Sequence, residues 1–180
     1  MKTKMLIFVF LLGITDLFAQ TLYVPGTIVK GKNASYYCSS ENEIFIKVNN
    51  VNNVDTTTTM YYDDGTALPS YKELGGTITT KTEDLVRVFQ EALTQEEIDI
   101  LKSKISYSLL LDIVADKQGN TLEITFSFRS NDPVMTKVDP DRLYQLEQNL
   151  KKILKLNPSK ADSSIKNMKY IQAISYKDLK

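Results

Sequence analysis

The sequence contains no histidine and no tryptophan. Without an imidazole the chain has no Ser-His-Asp or Cys-His catalytic apparatus, no histidine-ligated metal site and no histidine pH switch. Without an indole, a carbohydrate-binding platform would have to use some of the ten tyrosines. The missing residue types therefore exclude several common classes of enzyme, metal centre and pH sensor.

Cysteine is nearly absent as well. The single thiol, Cys38, cannot form an internal disulfide, so a scaffold held by disulfides is excluded and the fold must depend on packing. A lone thiol is either buried or available for a bond between molecules, and we favour burial.

Long apolar runs are also missing, except at the N-terminus. Two lysines precede an unbroken apolar stretch at 5–12, and the small residue Ala19 stands before Gln20. This order is typical of a secretory signal peptide, and the stretch is shorter than the roughly 20 residues of a membrane-spanning helix. We predict that residues 1–19 are a cleaved signal peptide, which places the mature protein in the periplasm or outside the cell. An uncleaved anchor or a buried helix is the alternative.

The remaining chain, roughly 160 residues long, has the size of one domain. We predict a single α+β domain over 20–180, with an irregular, β-rich part at 20–80 and a better defined unit at 81–180. No later segment is apolar enough to span a membrane. No nucleotide, metal or cofactor motif occurs, so we predict no cofactor and no nucleic-acid partner.

Charge is balanced overall but unevenly distributed. Residues 20–100 carry twelve acidic side chains and six basic ones, whereas residues 151–180 carry eight lysines and two aspartates. The basic end could meet anionic lipid or an acidic partner. We favour the simpler interpretation, a solvated helix face and edge-strand lysines that oppose aggregation.

The first half has weak secondary-structure signals. Glu43–Val48 reads as a strand, and Tyr23 to Tyr37 reads as irregular because of its Pro and Gly residues. The turn dipeptide at 64–65 predicts a hairpin between Met60–Tyr62 and Thr66–Leu68. Thr82 is the expected N-cap of a first helix.

Stronger patterns begin at Thr94, which opens a capping box with Glu97; this second helix should carry Ile98, Leu101 and Ile105 inward. Alternating apolar residues then predict a tight hairpin, and an Asp-Pro pair predicts the start of a helix. The predicted elements are a strand at Tyr107–Ala115, a turn at Asp116–Asn120, a strand with Leu122, Ile124, Phe126 and Phe128 facing inward, a helix capped by Asp139, and a last strand at Met168–Tyr176.

The order helix, strand, strand, helix, strand from Thr94 onward resembles the C-terminal domain of TonB-type periplasmic proteins. The matching stretches are Leu109 to Asn120, Thr121 to Phe128, Asp139 to Leu156 and Asn167 to Tyr176. This resemblance implies an antiparallel sheet with helices on one face. The chain as a whole also resembles small secreted proteins of uncharacterised function from gut Bacteroidetes. Both resemblances imply an exported binding or adaptor role and neither implies a reaction.

Two hypotheses of function follow. In the first, a non-enzymatic module of the cell envelope accepts a peptide or an envelope protein by strand addition to the last strand, provided that this strand lies at the sheet edge. The candidate partner-binding residues are Tyr61, Tyr62, Lys169, Tyr170 and Tyr176. Tyr61 and Tyr62 are the best candidates among the tyrosines, and for Tyr170 and Tyr176 we favour core or strand-face positions. In the second, Asp63, Asp64 or Glu123 serves a small carboxylate-based hydrolase or hydrolase inhibitor. We favour the first.

Overall fold

The computed structural model describes residues 21–54, 59–69, 74–104 and 106–179. The predicted signal peptide at 1–19 and the inward position predicted for Ile105 lie outside the described residues. The strands are β1 (Ile28–Lys30), β2 (Ser35–Asn42), β3 (Phe45–Asn50), β4 (Thr77–Ile78), β5 (Ser108–Ala115), β6 (Thr121–Arg129), β7 (Leu156–Asn157) and β8 (Met168–Ser175), and the α-helices are α1 (Thr82–Ala92), α2 (Gln95–Ser103) and α3 (Pro140–Ile153).

The strands form one large sheet and one small one. The large sheet has the order β1-β2-β3-β6-β5-β8, and all of its neighbouring strands are antiparallel. The small sheet pairs β4 with β7. The predicted α+β class with an antiparallel sheet is confirmed.

The hairpin of β5 and β6 is where the sequence predicted best. Asp116 accepts the amides of Gln118 and Asn120 through Oδ1 at 2.9 and 2.8 Å, and Gly119 takes the positive φ of 79° that the turn needs. The inward position predicted for Leu122 is wrong, since 44% of that residue is exposed. The register shifts at the end of β5 that pairs with this part of β6, which breaks the simple alternation.

The first half contains more structure than the sequence predicted. The region read as irregular up to Tyr37 includes β1 and the start of β2. The strand predicted at Glu43–Val48 is β3, which begins and ends two residues later than predicted. In β2, Tyr36 and Cys38 are fully buried and alternate with Tyr37, which is exposed. Because the neighbouring residues are serines, this period-two pattern is too poor in apolar side chains to stand out. The burial predicted for the thiol is confirmed.

The helix starts show which capping predictions were right. The box between Thr94 and Glu97 is present in both directions, and Asp139 caps α3 by accepting the amide of Asp141 at 2.9 Å. The N-cap of α1 is Lys81 and not Thr82, which is the first helical residue. The main chain therefore enters this helix one residue earlier than the hydroxyl suggested.

The three helices cover one face of the large sheet, as predicted. Their buried residues share one apolar core with the inward side chains of β2, β3, β5, β6 and β8. Members from the helices are Val88, Phe89, Ala92, Ile98, Leu101, Leu143, Leu146 and Leu150, and members from the two central strands are Leu109, Leu111, Ile113, Ile124, Phe126 and Phe128.

The other face of the large sheet carries polar side chains. Lys47 of β3 pairs with Asp112 of β5 at 3.0 Å, over the strand β6 that lies between them. Thr125 donates a hydrogen bond to Asn49 at 2.6 Å. Both pairs are only partly buried, and a solvated face of this kind is common in antiparallel sheets. Within the described part of the chain, every helix is too short or too polar to cross a bilayer.

Candidate partner-binding edge

The strand β8 lies at one end of the large sheet and pairs only with β5 there. The two strands keep one register from Ser108 opposite Ser175 to Ala115 opposite Met168, and the amide of Tyr176 donates to Tyr107 just beyond it. Main-chain groups of successive residues point to alternate sides of a strand. The residues whose N–H and C=O groups point away from β5 are therefore Lys169, Ile171, Ala173 and Ser175.

A short hairpin covers the start of this edge, and we call Met60–Leu68 the edge hairpin. Tyr61 pairs with Ala67 within it, so the predicted hairpin is confirmed. Its first strand also pairs with the segment that leads into β8: Tyr62 lies opposite Ile165, and Lys166 donates its amide to Tyr61 at 2.9 Å. The hairpin also covers the first outward-facing residue of β8, Lys169.

The edge hairpin covers the outer edge of β8 only as far as Lys169. The amide of this residue donates to Met60 Sδ at 3.3 Å, and its Nζ donates to the carbonyl of Thr59 at 3.3 Å. We call the next stretch, 171–175, the open edge. Here the described residues accept no hydrogen bond from the outward amides of Ile171, Ala173 and Ser175, and the one internal contact is Gln172 Nε2 to the Ala173 carbonyl at 2.7 Å.

The side chains of the open edge that share the solvated face of the sheet, those of Ile171, Ala173 and Ser175, are small or apolar. Ile171 is 66% exposed on the solvated face of the sheet, and Ala173 is also exposed. Exposed β-branched side chains beside unpaired main chain are a template for another strand. The edge thus offers main-chain hydrogen bonds together with an apolar contact.

A small cavity lies where the edge hairpin meets the bend before β8, and we call it the bend pocket. Its volume is about 230 Å³. Val54, Met60 and Tyr61 form the apolar part of its wall, and both Val54 and Tyr61 are exposed to solvent. The lining residues are Val54, Thr59, Met60, Tyr61, Lys166 and Asn167.

The structure brings Tyr61 and Lys169 to the β8 edge and places the other predicted residues in packed positions. Tyr62 is half-buried against the second apolar cluster, which contains Leu68 and Ile165. Tyr170 is half-buried on the helix side of the sheet, and burial raises the pKa of its hydroxyl.

Tyr176 lies in the core with no exposed surface. Its hydroxyl donates to Asp132 Oδ2 at 2.8 Å. Burial, followed by the charge of Asp132, raises the pKa of this tyrosine well above its ordinary value. A partner therefore does not meet this side chain at the surface, and the core position considered from the sequence is the one observed.

The three carboxylates of the hydrolase hypothesis each have a local partner. Asp63 pairs with Lys117 at 2.5 Å, and Asp64 accepts the amide of Thr66 at 2.8 Å. Hydrogen bonds from Thr66 hold the pKa of Asp64 below its usual value. Glu123 Oε1 accepts the amide of Val54 at 2.8 Å. These contacts are those of turns, loops and ion pairs.

The described residues also hold no cluster of three or more Cys, Asp and Glu side chains suited to a metal ion. The sequence analysis missed Glu147, a fully buried carboxylate of α3. It accepts from Tyr36 Oη at 2.8 Å and Asn50 Nδ2 at 3.0 Å, and it pairs with Lys151 at 2.6 Å. Its place four residues after Leu143, on the apolar stripe, was the available signal. Because its contacts join α3 to β2 and β3, the role is structural.

Comparison with known proteins finds one with the same fold. No family model matches the chain, and no curated protein matches it significantly by sequence. A DUF5043 family protein from Bacteroides uniformis matches in structure, with a TM-score of 0.68 over 87% of this chain and 89% of that one. The two chains share the fold. At 16% identity the likeness goes no further than that.

The DUF5043 family protein is of unknown function and comes from a Bacteroides species. A match to such a protein agrees with the expected resemblance to uncharacterised Bacteroidetes proteins. The resemblance to the TonB C-terminal domain stays a prediction. The order of α2, β5, β6, α3 and β8 on which it rests is present, with the two-residue strand β7 inserted before β8.

Proposed function

We propose that this protein is an exported, non-enzymatic binding module of the cell envelope that recruits an extended peptide segment as an extra strand beside β8. The observation that supports this function most strongly is the open edge. Its outward amides and carbonyls alternate with the groups that bind β5, which is the arrangement that strand addition uses.

The distribution of edge protection supports the same function. Exposed strand edges are normally shortened, charged or covered. The opposite edge strand, β1, is only three residues long and ends in Lys30, and the beginning of β8 is covered by the edge hairpin. The open edge carries Ile171 and Ala173 instead. Among these edge segments the open edge is the one that the described residues leave uncovered and uncharged, which favours it as the place where a partner strand binds.

Export fits this role. The N-terminal apolar stretch has the features of a signal peptide. The partner class we propose is an extended segment of an envelope protein, bound through main-chain hydrogen bonds and one or two apolar side chains.

The test uses a substitution that removes one outward amide without touching the pairing with β5. Because the Ala173 amide points away from β5, Ala173→Pro should keep the sheet intact while deleting a donor that an added strand needs. The matched control, Ala173→Val, keeps the donor and favours a strand. The probe is a library of random twelve-residue peptides displayed with free C-termini and selected on the purified protein.

We expect enriched peptides that bind the protein and Ala173→Val alike and bind Ala173→Pro at least about tenfold more weakly. Hydrogen exchange should show protection of the amides of Ile171, Ala173 and Ser175 by the bound peptide. Equal affinity for Ala173→Pro, or no enrichment over an uncoated surface, would contradict strand addition. Near-identical melting temperatures of the two variants serve as the folding control.

A further inference from the structure

We propose that the bend pocket holds the C-terminal residue of the added peptide, with an apolar side chain inside the pocket and the terminal carboxylate beside Lys166. This inference rests on the proposed function and specifies its partner: the free C-terminal end of an extended chain.

The direction of the added strand follows from the sheet. Every neighbouring pair in the large sheet is antiparallel, and the bridge between Tyr62 and Ile165 on this same edge is antiparallel too. A strand added antiparallel to β8 begins beside Ser175 and runs towards Ile171. Its C-terminal end therefore approaches the bend pocket.

The edge hairpin then limits how far such a strand can run. Met60 already receives the amide of Lys169, and Thr59 receives the Nζ of the same residue. A longer peptide would have to leave the sheet at this point, because the next outward position is occupied. A peptide that ends here keeps all of its main-chain pairing, so the site favours a chain terminus.

The lining of the bend pocket suits that terminus. Val54, Met60 and Tyr61 offer apolar and aromatic contact, and Lys166 is the one cation among the lining residues that the structure describes. The volume of about 230 Å³ is below the roughly 300–1,000 Å³ of small-molecule sites and is on the scale of one side chain. An ammonium group beside an apolar recess matches a carboxylate next to an apolar side chain.

The excess of lysine in the C-terminal part of the chain also favours binding of a carboxylate at the bend pocket. Residues 151–180 hold eight lysines and two aspartates, and the segment that contains Lys166 lies within them. Two of these lysines lie at the bend pocket, Lys166 in its lining and Lys169, whose Nζ reaches the lining residue Thr59, and their positive charges attract an anionic group. Every protein carries such a group at its C-terminus, so recognition would not need an acidic side chain.

The experiment compares each selected peptide as a free acid and as a C-terminal amide. Affinities are measured by calorimetry on the purified protein, on Lys166→Met and on the control Lys177→Met. Lys177 follows the far end of β8 in the short helix Tyr176–Asp178, so its substitution removes the same charge away from the bend pocket.

We expect amidation to weaken binding about tenfold to the unmodified protein and to Lys177→Met, and to have no effect on Lys166→Met, where the free acid already binds weakly. Equal binding of acid and amide that is still lost in Ala173→Pro would refute the pocket assignment and leave strand addition standing. Insensitivity to Ala173→Pro would refute strand addition itself. An equal loss of affinity for the free acid in Lys166→Met and Lys177→Met would show that the peptide is attracted by overall positive charge and would refute a defined carboxylate site at Lys166.

Discussion

The buried hydroxyl groups of Tyr23 and Tyr36 each donate a hydrogen bond within the core. Tyr23 donates to the carbonyl of Val138 at 2.9 Å, and Tyr36 donates to the buried carboxylate of Glu147. Burial raises the pKa of both tyrosines far above the ordinary value, and in Tyr36 the neighbouring carboxylate adds to the effect. These tyrosines are therefore structural, because a buried polar group is tolerated when it is hydrogen-bonded.

The partly exposed carboxylate of Glu97 differs from these tyrosines, because opposing effects act on its pKa. Arg142 binds both of its oxygens, at 3.0 Å and 2.5 Å, while the amide of Thr94 donates to it at 2.7 Å. Partial burial raises the pKa of Glu97, but the hydrogen bonds from Arg142 and Thr94 outweigh it and the net shift is downward. The contact thus joins the cap of α2 to α3.

We predict that Glu97→Gln lowers the free energy of unfolding by about 1–2 kcal/mol at neutral pH. Since the folded pKa is depressed, this contribution is present above the unfolded pKa, roughly 4.3, and is lost as the pH falls through the folded pKa. Urea unfolding at about pH 7 and about pH 3 measures both parts. Glu96→Gln, an exposed neighbour in the same first turn, is the control, and a cost that does not change with pH would contradict the prediction.

Turns and caps decide where the elements of this protein begin and end. Gly65 closes the edge hairpin and Gly119 closes the hairpin of β5 and β6, with φ angles of 84° and 79°. The two positions differ in their surroundings. A Cβ at Gly65 would meet nothing within 4 Å, whereas one at Gly119 would lie 1.7 Å from the carbonyl oxygen of Leu156.

We predict that Gly65→Ala costs about 1 kcal/mol of stability from its positive φ alone. Gly119→Ala should cost roughly 3 kcal/mol or more, because the main chain of β7 must also move and the hydrogen bond from the Leu156 amide to Gly119, 3.0 Å long, would be strained. Chemical denaturation of the two variants gives the comparison. Equal costs would mean that β7 does not pack against this turn as described.

The elements that the sequence predicted well share a local signal. The hairpin after Tyr107 has a strict alternation and a turn with glycine, and α3 has an Asp-Pro start with a leucine stripe. The strand β2 lacks such a signal, since serines and an asparagine flank its two buried residues. It is held by pairing with the neighbouring strands β1 and β3 and by the packing of Tyr36 and Cys38 in a core that includes residues distant in the chain.

At the scale of the molecule, the topology produces the candidate site. The first three strands join the sheet beside β6, which leaves β8 as the opposite edge. A protein with 16% sequence identity has the same fold, so the arrangement tolerates wide change in sequence. The order of the strands makes β8 an edge, while the side chain of Ile171 and the lining of the bend pocket depend on the sequence of this chain.

Export is the prediction that concerns the whole molecule. We expect mass spectrometry of the protein from its native host to find an N-terminus near Gln20 and to find the protein in the periplasm, at the cell surface or in the medium. The apolar stretch at 5–12 is the physical basis, being long enough for a signal peptide and too short to span a bilayer. Retention of Met1 in cytosolic fractions would overturn it.

The sequence by itself determined the α+β class, the central hairpin and two helix caps, because each depends on side-chain periodicity or on contacts between near neighbours. Tertiary structure alone decided that Tyr176 is core, that Glu147 joins a helix to two strands and that β8 is an edge with Tyr61 beside it. Those outcomes depend on which distant strands pair, and pairing is governed by the burial of whole faces and not by any local pattern.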